Sequence, residues 1–371
     1  MRKIFIITER RADYSRFQPI LNIIKDDPDL EYDLVVTGLH LKHENGYTID
    51  EIKADGFKIF STFEMFLESE DSGGAMVRAY AEAVKMVTYE LEKSKPDLIL
   101  SGFDIAANAA VTLAGAHMNI PVAHIQGGEV TGTIDESIRH AMSKFAHYHF
   151  AANKDACDRL IKMGEVPERV FDVGCPSIDA ILAVKDNQSV AERFGLAKPY
   201  FLVIQHPVTS EINNSNKQIE ITLEAIEQTG TNALIILPNN DAGYSSIVQK
   251  IKNSNIKSVE TLSIDDYVNL LRHSSGLIGN SSSGIHEAAS FNIPVINIGT
   301  RQQGRLRPKN VIDTGHNVAE IVKAINQCKK IKNEQIVFEN PYGDGRSSAR
   351  IVNLLKSLDI GNEIIQKRIT Y

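Results

Sequence analysis

Chemistry-bearing side chains crowd one stretch of this chain, HIQGGEVTGTIDESIRH, from His124 to His140. Glu129 follows a glycine pair, Asp135 and Glu136 open an expected helix, and Arg139 and His140 come within about one turn. Set directly after an apolar run at 120–125, such a cluster suits proton transfer. A helix capped by Thr133 or Asp135 accounts for the acids at 135 and 136, but not for the Gly-Gly-Glu before them.

The second strong pattern is GNSSSGIHEA at 279–288, a strand running through serines and a glycine into a helix expected to begin near Gly284. Ser281, Ser282 and Gly284 let backbone N–H groups approach an anion, as a diphosphate cradle without a Walker lysine requires. Glu287, in the expected first turn, could accept both hydroxyls of a ribose. In TERRADYSR (8–16), Arg10, Arg11 and Ser15 place two cations and a hydroxyl at a helix start, which suits a phosphate; solvated arginines with a cap at Asp13 explain them equally. Asp104, in SGFDIAAN, is either a helix cap or a carboxylate facing Glu129 across adjacent strand ends. His206, before Pro207, could hold phosphate or shuttle a proton, or be a core histidine. Asn240 and Asp241 in LPNNDAG are turn-formers first and base or ribose contacts second. Arg301, Arg305 and Arg307 follow the next strand as candidate ligand or acid partners.

These groups need a scaffold that gathers strand ends. Seven short apolar runs alternate with helical patterns up to about residue 174, and five more follow from 200 to 299. Continuous apolar strands separated by helices imply parallel sheets covered on both faces. The expectation is α/β, with two Rossmann-like halves, 1–180 and 181–345, followed by C-terminal helices at 346–371. Ligands in such folds lie beyond the carboxyl ends of the strands, in the crevice.

Composition narrows the classes. A net charge of −7 argues against nucleic acid as the main partner, and no apolar run is long enough for a membrane span. The three cysteines show no zinc spacing, no metal cluster is evident, and each cysteine reads as a small buried apolar residue in a cytoplasmic protein. No G-x-G-x-x-G calls for a nicotinamide and no G-x-S-x-G for a serine hydrolase. A diphosphate cradle on one half, acids on the other and arginines from both describe a nucleotide-sugar site needing no cofactor. The apolar helices of the first half fit a homodimer or homotetramer without deciding between them.

RADYS (11–15), HIQGGEVTGTIDESIRHAMSK (124–144), HPVT (206–209), PNNDAG (238–243), GNSSSGIHE (279–287), GTRQ (299–302) and YGDG (342–345) resemble the hydrolysing UDP-N-acetylglucosamine 2-epimerases of sialic-acid synthesis, across essentially the whole chain. The resemblance implies the GT-B architecture, with the tail crossing back to the first half. It implies conversion of UDP-N-acetylglucosamine and water to N-acetylmannosamine and UDP, by anti elimination and hydration of a glycal. It implies that Asp104 and Glu129 are the principal acid/base pair, with Asp135 a third candidate, and that His206 holds the diphosphate or assists proton transfer. Arg11 and Ser15 would contact UDP or sugar, Ser281, Ser282 and Gly284 the phosphates, and Glu287 the ribose. Gln126, Arg139, Asn240, Asp241 and Arg301 complete the expected substrate contacts.

Two positions depart from the pattern. Relatives carry Gly-Asp-Arg after the fourth strand, whereas this chain has Gly102-Phe103-Asp104-Ile105, and an acid often precedes the Gly-Gly pair where Gln126 stands here. A changed sugar, such as a 2,4-diacetamido-trideoxy hexose, is one consequence. A GT-B glycosyltransferase and a nucleotide-sugar-binding regulator without activity are the alternatives from other classes.

Overall fold

The computed structural model describes residues 1–43, 46–68 and 72–371. Its first sheet is built from β1 (Arg2–Thr8), β2 (Leu30–Thr37), β3 (Ile59–Phe63), β4 (Leu98–Gly102), β5 (Val122–Ile125), β6 (Tyr148–Ala151) and β7 (Val170–Asp172), in the order β3-β2-β1-β4-β5-β6-β7. The second contains β8 (Phe201–Ile204), β9 (Ala233–Ile236), β10 (Lys257–Val259), β11 (Gly276–Gly279), β12 (Val295–Ile298) and β13 (Val311–Thr314), in the order β10-β9-β8-β11-β12-β13. The pairings are parallel. Every residue of β4, β5, β6, β8, β11 and β12 is buried, as strands covered on both faces must be. Two such lobes form the GT-B architecture expected from the sequence.

In each sheet the strand order reverses beside its first strand, between β1 and β4 and between β8 and β11. That is where neighbouring connections leave toward opposite faces and a crevice opens. The segments beginning at Glu9, Phe103, Gln205 and Asn280 all emerge from these strands.

The helix Ser347–Ser357 packs on helices Arg11–Asp26 and Pro176–Ala183, and its Ile351, Val352 and Leu355 join the core that holds Ile4, Phe17 and Leu100. Cys157, Cys175 and Cys328 are buried free thiols, the small apolar role read from the sequence. Among the described residues, no helix is long and apolar enough to cross a membrane.

Strand β13 has no counterpart among the expected runs. It lies at the sheet edge, only partly buried, and VIDT is half apolar and half polar rather than a continuous apolar block. The helix expected from Gly284 instead spans Ser282–His286, capped by Ser281, whose hydroxyl accepts from Ser283 N at 3.3 Å.

Candidate active site between the lobes

Strands β4 and β5 end in left-handed turns on non-glycine residues, Phe103 at φ 69° and Gln126 at φ 60°. Each conformation costs about 1–3 kcal/mol and persists only where neighbours impose it. The turn at Phe103 presents Asp104 to Arg139, whose guanidinium hydrogen-bonds the carboxylate. Arg139 is buried, and a second nitrogen donates to Glu129 O at 3.1 Å. Asp104 does not cap the helix Ala106–His117. Glu9, from the end of β1, accepts from Ala107 N at 2.9 Å instead, leaving Asp104 free for the crevice.

Burial alone would raise the proton affinity of Asp104. The charges of Arg139, Arg305, Arg301 and Arg16 outweigh it and hold Asp104 below the usual carboxylate range. Asp135 behaves oppositely: burial raises it, and the negative Asp104 raises it further against the pull of Arg301. Asp135 and Arg139 stand four residues apart on the helix Ile134–Phe145, so they share a face. Two carboxylates with divergent proton affinities thus act on each other, Asp104 held by Arg139 and Asp135 about one helical turn from that arginine.

Glu129 is enclosed rather than open. Its Oε2 lies 3.2 Å from His286 Nε2 and 3.5 Å from an Arg305 nitrogen. Burial opposes its charge, but His286, Arg305 and Arg139 hold it well below the usual range. Both partners at Oε2 belong to the second lobe.

In that lobe Asn280 organises the strand ends. Its Oδ1 accepts from His206 N at 2.7 Å and its Nδ2 donates to His206 O at 2.8 Å, while its own carbonyl accepts from Arg301 at 3.2 Å and Gln302 at 2.8 Å. Burial, then Arg301 and Arg10, press the His206 imidazole well below its ordinary value, so it is neutral. Whichever of its two expected roles His206 takes, holding phosphate or assisting proton transfer, it does so as a neutral imidazole. Glu287 closes the short helix rather than opening it, and it accepts from the Ser283 hydroxyl, which also meets Tyr267 OH.

The lobes touch through backbone. Gly132 N donates to Arg301 O at 3.0 Å, the Thr131 hydroxyl reaches the same oxygen at 3.1 Å, and Arg305 Nε donates to Val130 O at 3.1 Å. Arg10 stands 3.6 Å from Asp241, and Arg11 joins Glu51 to Thr261 and Leu262 O. Beside these contacts lies a cavity of about 930 Å³, lined by Arg10, Arg11, Asn239, Asn240 and Tyr244 among others; Asp104, Glu129 and Asp135 are not among its lining residues.

The sequence matches the model of the UDP-N-acetylglucosamine 2-epimerase family over residues 22–356. The chain belongs to this family. A UDP-N,N′-diacetylbacillosamine 2-epimerase (hydrolyzing) of Legionella pneumophila is 35% identical over 375 residues, covering 99% of each chain. A UDP-N-acetylglucosamine 2-epimerase of Neisseria meningitidis is 31% identical, covering 99% of this chain and 98% of the relative. In fold, the chain is similar to a UDP-GlcNAc 2-epimerase of Methanocaldococcus jannaschii solved with UDP-GlcNAc and UDP: TM-score 0.81, 20% identity, covering 95% of this chain and 99% of that one.

The fold brings Asp104, Glu129, Asp135, Arg139, His206, Asp241, Glu287 and Arg301 to one interlobe region, with Gln126 buried at the end of β5 and Asn240 on the cavity wall. Ser281 and Ser282 sit half-buried at the turn after β11. Three further expected contacts have other partners as well. The Ser15 hydroxyl turns back onto Ala12 O at 3.1 Å, and Arg11, on the cavity wall, bonds Glu51 and the second lobe. Gly284 faces the sheet, where a Cβ would come within 2.7 Å of Val295 Cγ1, so the glycine serves helix–strand packing.

Arg16 was not singled out from the sequence, yet its charge answers Cys175, Glu287 and Asp104 and lies 5.2 Å from the Phe103 ring. Helical phase held the signal, because Arg16 shares a face with Asp13 and Ile20, both buried, not with Arg11 and Ser15. His286 and Asn280 lay inside a quoted motif but were passed over in favour of its serines and Glu287.

Proposed function

We propose that this epimerase is a hydrolysing enzyme that cleaves a UDP-linked 2-acetamido sugar with inversion at C2. The reading rests on the Asp104–Arg139 pair with Asp135 one turn away on the same helix. An ionised Asp104 accepts the C2 proton while the C1–O bond breaks and its electron pair leaves with UDP. The developing charge on the diphosphate meets Arg301, Arg10, Arg16 and the N–H of neutral His206. A glycal remains. Asp135, which retains a proton more readily, returns one to C2 from the opposite face as water oxygen bonds to C1. Water's remaining proton and that on Asp104 return to solvent and Asp135, restoring both groups. Glu129, boxed in by His286 and Arg305, keeps the lobes aligned around the reaction.

The expected sugar is UDP-N-acetylglucosamine, giving N-acetylmannosamine for sialic-acid synthesis. The 35% identity to the Legionella relative favours a second substrate, a UDP-2,4-diacetamido-trideoxy hexose. Incubating each UDP-sugar with the enzyme in heavy water and following products by NMR tests both. Free UDP and a free 2-epimer deuterated at C2 support hydrolysis. An epimerised sugar still attached to UDP overturns it, and turnover dependent on an added acceptor makes the protein a glycosyltransferase.

A further inference from the structure

We propose that His124 is a positioning residue whose imidazole holds apart, at fixed spacing, the two supports of the Asp104–Arg139 pair. This rests on the reading of Asp104 as the acid/base group. His124 is fully buried on β5. Its Nε2 lies 3.1 Å from Phe103 O, and its Nδ1 lies 3.3 Å from the Ser143 hydroxyl. A carbonyl can only accept, so Nε2 carries the proton and Nδ1 accepts.

One ring therefore touches both sides of the pair. Phe103 immediately precedes Asp104. Its left-handed turn is pinned at both ends, by its own N donating to Ile125 O at 3.0 Å and by His124 at its carbonyl. Ser143 lies one turn beyond Arg139, and the single proton of its hydroxyl is shared between His124 Nδ1 and Arg139 O, the latter at 3.0 Å. The packing leaves no slack: a Cβ on Gly127 would come within 2.9 Å of Ser143 Oγ and 3.0 Å of His124 Nδ1. The first glycine of the Gly-Gly-Glu motif thus makes room for this imidazole–hydroxyl contact. Burial lowers the imidazole to about 3, so the strut is neutral throughout the working range.

The groups facing Asp104 are Arg139 and Asp135 from the helix Ile134–Phe145, Arg301 and Arg305 from the second lobe, and Arg16 from the first helix. Loosening Arg139 leaves Asp104 closer to an ordinary carboxylate, so the acid limb of kcat/KM moves to higher pH.

The test compares His124→Leu, His124→Gln and Ser143→Ala, with Asp104→Asn as reference, on the full chain and the UDP-sugar that the wild type turns over. His124→Leu should lower kcat about 10–100-fold, as small misplacements of reacting groups do, with KM and UDP affinity nearly unchanged. Its acid limb should shift upward. His124→Gln, whose amide nitrogen reaches the Nε2 position, should restore most of the rate and the limb. Ser143→Ala should shift the limb in the same direction, and it carries the test if His124→Leu does not fold. Wild-type kcat and limb in the leucine or alanine variant, or a change confined to KM, overturns the proposal. If Asp104→Asn itself keeps wild-type turnover, the acid/base assignment fails instead, which separates the two failures.

Discussion

Glu129 Oε2 of the first lobe lies 3.2 Å from His286 Nε2 of the second, with Arg305 approaching the same oxygen at 3.5 Å. The carboxylate most conspicuous in the sequence is thus a contact between the two lobes, ionised beside the Arg305 cation, while burial presses the His286 imidazole below its ordinary value. Removing one member of a buried pair strands the other and costs about 3–5 kcal/mol. Glu129→Gln should therefore lower the unfolding free energy by an amount toward the smaller end of that range, measured in urea at pH 7. Its folded-state affinity for protons is depressed, so the stabilisation is present above the unfolded value of about 4.3 and lost as pH falls through the lower folded one. The wild-type advantage should shrink below about pH 4. Turnover should fall by about two orders of magnitude or more while UDP affinity changes little. Near-full activity in Glu129→Gln would remove this residue from the active-site assignment.

Asp135 carries the opposite sign. Its folded affinity is raised by burial and by Asp104, so the fold favours the neutral acid. That contribution is full below the unfolded value of about 3.9 and is lost as pH rises through the folded one. Asp135→Asn mimics the neutral form and should melt at higher temperature than wild type at pH 8, with the difference narrowing at pH 5. Its turnover should collapse. A variant destabilised at pH 8 would show that Asp135 is ionised without penalty in the native state.

Gly132 makes the interlobe contact sensitive to a single methyl group. A Cβ there would come within 2.0 Å of Thr300 O, which is backbone and cannot swing aside. Gly132→Ala should hold the lobes apart, increasing the radius of gyration in small-angle scattering and cutting kcat/KM at least tenfold. An unchanged scattering profile with unchanged kinetics would show that the 3.0 Å contact to Arg301 O is dispensable.

Phe103 sets strain against packing. Glycine would relieve the left-handed backbone, a gain of about 1–3 kcal/mol. It would also delete a buried ring packed at 5.3 Å from Phe17, and removing a buried Phe costs about 3–5 kcal/mol. Packing should prevail, so Phe103→Gly should destabilise the protein by about 2 kcal/mol in denaturant titration, the difference between the midpoints of those terms. A stabilised variant would mean that the strain exceeds the packing.

His206 is neutral because burial and two nearby arginines disfavour its cation. In nitrogen-15 NMR its ring shifts should stay constant from pH 8 down to pH 6. An inflection near 6.5 would show that the imidazole takes up a charge in the working range.

Strand composition made the parallel, two-sheet α/β fold legible, since blocks such as IFII, LIL and FLVI can only be buried on both faces. The edge strand Val311–Thr314 escaped notice because it is short and partly exposed, so no continuous apolar block marks it. The Gly-Gly-Glu and Asn-Ser-Ser-Ser motifs follow strands β5 and β11. The packing role of their glycines was not legible: Gly127 and Gly284 clear space for His124, Ser143 and Val295. Local sequence cannot reveal that role, because what a missing Cβ avoids belongs to another segment.

By itself the sequence determined which residue types stand at the carboxyl ends of which strands, because hydrophobic period and turn chemistry are local properties. Only the tertiary structure decided what each group does there. Asp104 is held ionised because Arg139, Arg305, Arg301 and Arg16 converge on it from three segments, and Asp135 is pushed toward its neutral form by that same anion. Arg11 and Ser15, equally polar on paper, are spent on Glu51 and on their own helix. Proton affinity depends on burial and on charges a few ångströms away, and both are set by contacts between residues hundreds of positions apart in the chain.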